Sequence, residues 1–82
     1  MGLIKYMNKI PRDSLKLGVI VKLAYQTKKG VREYCWVSII TKSSIGEEID
    51  LCGQVINSSV PSIAPGAFLD FKPENILYIW DE

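Results

Sequence analysis

The chain lacks histidine and is poor in cysteine, which removes most catalytic and metal chemistry. Its 82 residues include no histidine and two cysteines, Cys35 and Cys52, which do not form a CxxC pair. A Ser-His or Cys-His nucleophile is therefore impossible, and a conventional structural zinc site is excluded. Both cysteines fall in predicted strands, where thiols usually act as small core residues, and a disulfide between them stays open. We expect neither a metal nor a cofactor.

Long apolar runs are also missing. The longest uncharged apolar stretches, residues 35–40 and 76–80, are far shorter than the roughly 18–20 residues that cross a bilayer. Residues 1–10 carry Lys5 and Lys9 among their apolar residues and have no continuous hydrophobic region of a signal peptide. We therefore expect a cytoplasmic protein that does not enter a membrane.

Glycine-rich phosphate loops and convincing acid pairs are absent as well. No Walker or Rossmann pattern occurs, so nucleotide hydrolysis has no visible machinery. The carboxylates of Glu47, Glu48 and Asp50 fall in and beside a predicted hairpin turn, where such groups are usually solvated. The sequence predicts a protein that is not an enzyme.

Apolar residues that alternate with period two predict strands and define their faces. From Val19 onward, one face carries Val19, Val21, Leu23 and Tyr25, and the other carries Ile20, Lys22 and Ala24. A polar connection at residues 26–30 leads to a second, antiparallel strand over residues 32–42. That strand places Cys35, Val37 and Ile39 on one face and Tyr34, Trp36, Ser38 and Ile40 on the other.

The rest of the chain continues as short strands separated by turns. Residues 43–48 are predicted as a turn, and residues 49–56 as a third strand in which Gly53 marks a bend or bulge. A loop over residues 57–66 ends in a Pro-Gly pair suited to a type II turn. A fourth strand around Leu69 and Phe71, a tight turn at residues 72–75 and a last strand at residues 76–80 complete the pattern.

This order predicts an all-β fold, a small five-stranded SH3-like barrel with a short helical turn before the last strand. One domain of residues 15–82 accounts for it, since 82 residues leave no room for a second. Residues 1–14 form an N-terminal arm or an extra strand, and residues 10–18 could make a helical turn that stops at Gly18.

Four segments resemble the YegJ-like family of small bacterial domains of unknown function. They are residues 17–23, 32–39, 53–57 and 66–76, and the resemblance spans roughly residues 15–80. The family often has an acidic residue at the position of Val19. The resemblance implies a small bacterial domain of the cytoplasm, and it implies no activity or site residues.

Charge is segregated along the chain although the net charge is +1. Residues 1–42 contain nine Lys or Arg and two acids, a net charge of +7, whereas residues 43–82 contain one Lys and seven acids, a net charge of −6. Such asymmetry indicates either a polyanion-binding face or charge-complementary assembly, unless the halves interleave and neutralise each other.

The first hairpin supplies the strongest candidate binding residues. Aromatic rings on one face with cations along its edges could stack on bases and neutralise phosphates. The alternative is that Trp36 is a core residue and the cations form a solvated edge. The candidates are Tyr34, Trp36, Lys22, Lys28, Lys29, Arg32 and Lys42.

A protein-binding groove is the competing interpretation. It would lie between residues 26–31, 43–48 and 57–66, where SH3-like barrels bind extended peptides. The aromatic candidates to line it are Tyr25, Tyr34, Trp36, Tyr78 and Trp80, most of which must also build the core. The two apolar faces of the second strand, with Phe68, Tyr78 and Trp80, leave more apolar surface than one small barrel encloses. Self-association is then a further expectation, and the opposed charges favour antiparallel pairing of two copies.

The sequence hence predicts a non-enzymatic binding module. The first hypothesis is a bacterial accessory, inhibitor or immunity-type protein that docks onto a protein partner through loops and an aromatic patch. The second is a small barrel that binds nucleic acid or nucleotides through the basic first hairpin.

Overall fold

The computed structural model describes residues 2–6 and 10–80 and contains six strands and two 3-10 turns. The all-β prediction is confirmed. The 3-10 turns are Arg12–Ser14 and Pro73–Asn75, the second of which is the predicted turn before the last strand. The strands are β1 Gly2–Leu3, β2 Ile20–Gln26, β3 Arg32–Ile45, β4 Glu48–Ser58, β5 Phe68–Phe71 and β6 Ile76–Ile79.

All strand pairs are antiparallel and form one curled sheet. The order is β1-β2-β3-β4-β5, and β6 also pairs with β2. Because β3 occupies one edge of β2, the strands β6 and β1 share its other edge, β6 near Val21 and β1 near Gln26. Within the described residues no ladder joins β5 to β6, so the sheet is a curled half-barrel.

The concave side of the sheet holds the core, as the period-two pattern predicts. Alternate residues of three long strands are buried there, and side chains from the loops complete the cluster. Leu15, which follows the first 3-10 turn, is fully buried although it lies in no strand. The strand residues of this core cluster are Val21, Leu23, Tyr25, Cys35, Val37, Ile39, Ile49, Leu51, Val55, Phe71 and Ile76.

Two bulges interrupt the pairing of β3 with β4. Ile39 is opposite Gly53 and Thr41 is opposite Cys52, so Ile40 is an extra residue in β3. The second bulge makes Ile56 the extra residue in β4. The predicted irregularity at Gly53 is confirmed, and an extra residue reverses which side of the sheet the following side chains face.

The tight turns are set by glycine. At Pro65-Gly66 the N–H of Ala67 donates to the carbonyl of Ala64 at 3.1 Å and Gly66 has a φ of +92°, which confirms the predicted type II turn. The six-residue turn predicted at residues 43–48 is wrong. The ladder continues to Ile45 opposite Glu48, because Gly46, with a φ of +61°, permits a two-residue hairpin loop.

Asn75 in the second 3-10 turn joins the residues that follow β1 to the turn between β5 and β6. Its Oδ1 accepts a hydrogen bond from the N–H of Lys72 at 2.8 Å, and its Nδ2 donates to the carbonyl of Ile4 at 3.4 Å. The N–H of Tyr6 also donates to the carbonyl of Glu74. Residues 2–6 are thereby held against the turn that leads into β6.

Candidate aromatic binding face

A row of large side chains crosses the outer side of the sheet. Lys22 in β2 lies between Trp36 of β3 and Tyr78 of β6, each directly opposite it in the ladders. Trp80 follows β6 and is held by its N–H, which donates to the carbonyl of Ile20 at 2.8 Å. With Tyr34, two residues before Trp36 in β3, these side chains form a surface that we call the aromatic face.

The rings of the aromatic face pack at right angles. The Trp36 ring centroid lies 6.0 Å from that of Tyr78 and 5.5 Å from that of Trp80, with interplanar angles of 89° and 84°. Edge-to-face pairs of this kind add about 0.5–1.5 kcal/mol each beyond the burial of their area. Trp36 is half-buried, whereas Tyr78 and Trp80 are 55% and 53% exposed.

Lys22 is held among these rings by its charge. Its Nζ lies 4.5 Å from the centroid of the Tyr34 ring and 5.5 Å from that of the Trp36 ring. Both distances are within the range at which a cation is attracted to an aromatic face. The ammonium group is therefore positioned at the middle of an apolar surface.

Three shallow grooves share Trp36 as a wall. They have volumes of about 410, 290 and 290 Å³. Among the described residues that line them, Lys22 is the single charged side chain. The lining residues are Ile20, Lys22, Tyr34, Trp36, Ile56, Asn57, Ser58, Ser59, Leu77, Tyr78 and Trp80.

The sequence-based candidates are only partly brought together. Lys22, Tyr34, Trp36 and Arg32 share the outer side of the sheet, because β2 and β3 pair without irregularity from Arg32 to Ser38. Trp36 is thus a half-buried residue of the outer side and does not belong to the core cluster. Residues 28–29 form the turn of the first hairpin, at the end of the sheet beside Arg32.

Lys42 is not on the aromatic face. The bulge at Ile40 reverses the alternation, so Lys42 pairs with the core residue Leu51 and shares its side of the sheet. The groove expected between residues 26–31, 43–48 and 57–66 is wrong as well. Residues 26–31 and 43–48 lie at opposite ends of the 14-residue strand β3 and cannot line one groove.

The sequence offered Tyr78 and Trp80 with Trp36 as candidate aromatics of one groove, but it did not predict that both rings contact that of Trp36. The alternation of Tyr78 and Trp80 along the last strand is visible in the sequence and indicates a shared side. The alternation gives no information about the pairing of β6 with β2. That pairing brings both rings against Trp36. The candidate site is therefore more aromatic than the first hairpin alone suggests.

A larger depression lies elsewhere, between β1, the β4–β5 ladder and the second 3-10 turn, with a volume of about 670 Å³. Two of its charged groups pair with each other, since Lys72 Nζ lies 3.6 Å from Asp50 Oδ1. The described residues contain no group of three or more Cys, Asp or Glu side chains that could hold a metal ion. None of the helices in the described residues has the length and apolar composition needed to cross a membrane.

The two cysteines are separate free thiols with little nucleophilic character. Cys35 is opposite Ser58 and Cys52 is opposite Thr41, so they do not face each other. Burial raises the pKa of Cys35 to about 11. The pKa of Cys52 is raised by burial and then by the nearby Asp70 carboxylate. Both thiols are therefore protonated near neutral pH, which is the unreactive form.

We expect the domain to lose stability in alkaline solution. Burial raises the pKa of Tyr25 to about 12, with a further contribution from Cys35. The unfolded chain, with ordinary values of 9.0 for cysteine and 10.0 for tyrosine, loses these protons first as the pH rises. The stabilisation is complete below about pH 9 and is lost as the pH rises through about 11 and 12.

Urea unfolding at a series of pH values measures this loss. The unfolding midpoint falls from pH 9 upward in the unchanged chain, and the Cys35→Ala variant shows a shallower fall between pH 9 and 11. A midpoint that stays constant across this range would contradict the burial of these two protons.

Comparison with known proteins gives no match to a family model, a curated protein or a solved structure. Nothing in these comparisons bears on the resemblance to the YegJ-like family. The geometry of the aromatic face is consequently the basis for a functional proposal.

Proposed function

We propose that this chain is a non-enzymatic binding module that docks onto a protein partner through the aromatic face. The observation that carries the proposal is that Trp36, Tyr78 and Trp80 form one contiguous aromatic surface on a chain of 82 residues. Exposed Trp and Tyr clusters with apolar surroundings are typical of protein interfaces, where they supply most of the binding energy.

The ring geometry favours a protein partner over stacked bases. Stacking needs an open ring face, yet the Lys22 ammonium already lies over the Tyr34 and Trp36 rings. The perpendicular rings of Trp36, Tyr78 and Trp80 instead enclose slots that suit aliphatic or proline side chains. We therefore favour an extended or protruding segment of a protein as the occupant.

The fold and setting belong to the same proposal. The curled sheet, with a 3-10 turn immediately before β6, supports an SH3-like barrel as the finer description of the fold. The resemblance to the YegJ-like family supports a bacterial protein of the cytoplasm, of the accessory, inhibitor or immunity type. These proteins act by occupying a partner's surface, which agrees with the thin supply of catalytic groups in the sequence.

Affinity capture from the native host lysate tests the proposal. The unchanged chain is expected to retain a protein that survives nuclease treatment, and the variant Tyr78→Ala/Trp80→Ala is expected to lose it. Phe68→Ala is the matched control, since Phe68 is 62% exposed but lies on β5, two strands from β3, and lines none of the grooves beside Trp36. Equal capture by the unchanged chain and the double variant would refute docking through this face.

Nucleic-acid binding is the second candidate, supported by the charges of the first hairpin. Lys22, Lys28, Lys29 and Arg32 have no ion-pair partner within the described part of the chain. Phosphate contacts weaken steeply between low and moderate salt, whereas an aromatic protein interface changes little. Charge reversal of Lys28, Lys29 and Arg32 abolishes binding under this candidate and leaves docking through the aromatic face largely intact.

A further inference from the structure

The hairpin that joins β3 to β4 ends in an exposed tip. Residues 41–48 are all exposed, although Leu51 and Ile49, which lie opposite Lys42 and Ser44, are buried in the core. We call residues 41–48 the arm. At its tip Ile45 is 77% exposed, more than any other large apolar residue that the structure describes.

The tip of the arm combines an apolar and an acidic side chain. Ile45 is directly opposite Glu48, so both point to the same side of the hairpin. That side is the outer side of the sheet, because Glu48 alternates along β4 with the buried Ile49. The bulge at Ile40 makes this possible, since Trp36 and Ile45 are an odd number of residues apart and would otherwise face opposite sides.

The aromatic face has the complementary chemistry. The grooves beside Trp80 are largely apolar, and the cation of the face is Lys22. Arg32 lies outside the face, on the same side of the sheet toward the first hairpin. Neither cation has an ion-pair partner within the described residues. An apolar side chain with a carboxylate beside it would fill a groove by Trp36 and pair with one of these cations.

We propose that the aromatic face is covered by the arm of a second copy of this chain, with Ile45 in a groove beside Trp36 and Glu48 at Lys22 or Arg32. The arm and the face lie toward opposite ends of β3. Two copies in antiparallel orientation therefore each donate one arm and receive one, which closes the assembly as a twofold dimer.

A standard interface buries about 600–1,000 Å² on each partner, which is roughly a tenth to a fifth of the 5502 Å² accessible surface of this chain. The two contacts of the twofold dimer, each an arm on a face, share that area between them. Within each contact the Glu48 carboxylate and the Lys22 ammonium have opposite charge.

Sedimentation equilibrium, which gives mass and dissociation constant together, tests the proposal. The unchanged chain is expected at twice its 9.2 kDa mass, and Ile45→Asp is expected to weaken the dimer at least about tenfold. Because Ile45 is exposed, that variant folds, and denaturant unfolding verifies this. Leu17→Asp, at a residue 63% exposed outside both the arm and the aromatic face, is the matched control and leaves the dimer unchanged.

A charge swap identifies the arm as the occupant. Lys22→Glu and Glu48→Lys each weaken the dimer about tenfold, and the chain carrying both changes recovers most of the lost affinity if Glu48 meets Lys22. If Arg32 is the contact, the recovery appears with Arg32→Glu instead. A monomer at about 1 mM, a dimer insensitive to Ile45→Asp, or no recovery in either swapped pair would overturn the proposal.

This inference goes beyond the proposed function and is measured without any other protein. The dimer and a heterologous partner would use the same face, so partner binding displaces the arm. If the chain is monomeric and still captures its partner, the proposed function is supported and the dimer proposal is refuted. If the chain is a dimer and captures no protein, only the proposed function is refuted.

Discussion

Replacing Gly53 with alanine lowers the free energy of unfolding by about 2–3 kcal/mol. A Cβ at this position would overlap the Cγ1 atom of Val37 and lie 2.9 Å from the carbonyl oxygen of Ser38. It would also approach the Phe71 ring at 3.1 Å. Backbone and core side chains enclose the site, so the added methyl group must displace β3 or β5.

Denaturant unfolding of Gly53→Ala measures this cost. Gly2→Ala is the matched control, because Gly2 also lies in a strand but a Cβ there meets nothing within 4 Å. The control is expected within about 0.5 kcal/mol of the unchanged chain. If the Gly53 variant is equally stable, the close crossing of β3, β4 and β5 at the bulge is not as described.

Truncating Leu15 to alanine has the second large effect, a loss of about 2–5 kcal/mol. Leu15 is fully buried within the core cluster, although it lies between the first 3-10 turn and β2. The loss consists of the transfer energy of the removed methyl groups and the cavity left behind. The segment before β2 is thus part of the folded domain.

Leu17→Ala provides the comparison, since it makes the same chemical change two residues along at a side chain that is 63% exposed. We expect it to change stability by less than about 0.5 kcal/mol. Thermal and urea unfolding of both variants give the difference directly. Similar losses for the two leucines would mean that the segment before β2 does not pack as the structure has it.

Local patterns predicted what depends on local geometry. The alternation of Val21, Leu23 and Tyr25 against Lys22 follows from the period of an extended chain, and it correctly identified the core side of β2. The type II turn at Pro65-Gly66 was equally predictable, because proline fixes one φ angle and glycine permits the positive one. These features need no knowledge of distant parts of the chain.

The bulges were not predictable in the same way. An extra residue such as Ile40 carries no signature in the sequence, yet it moves Lys42 to the other side of the sheet and brings Ile45 to the outer side. Gly53 indicated an irregularity but did not show which strand carries the extra residue. The error over Lys42 therefore arises from strand register, which depends on the partner strand.

Only the part of the candidate site that lies on the first hairpin could be predicted from the sequence. Tyr34, Trp36 and Lys22 are joined by the first hairpin, whose short connection fixes their pairing. Tyr78 is about forty residues further along, and only the pairing of β6 with β2 brings it opposite Lys22. Long-range pairing is set by how the whole chain closes on its core.

The most direct test of the central claim is the affinity of the captured partner, once purified, for the chain and for Tyr78→Ala/Trp80→Ala. Loss of two exposed aromatic anchors is expected to weaken binding about 30- to 1,000-fold, while Phe68→Ala leaves it unchanged. If the double variant binds within about threefold of the unchanged chain while folding normally, the aromatic face is not the docking surface.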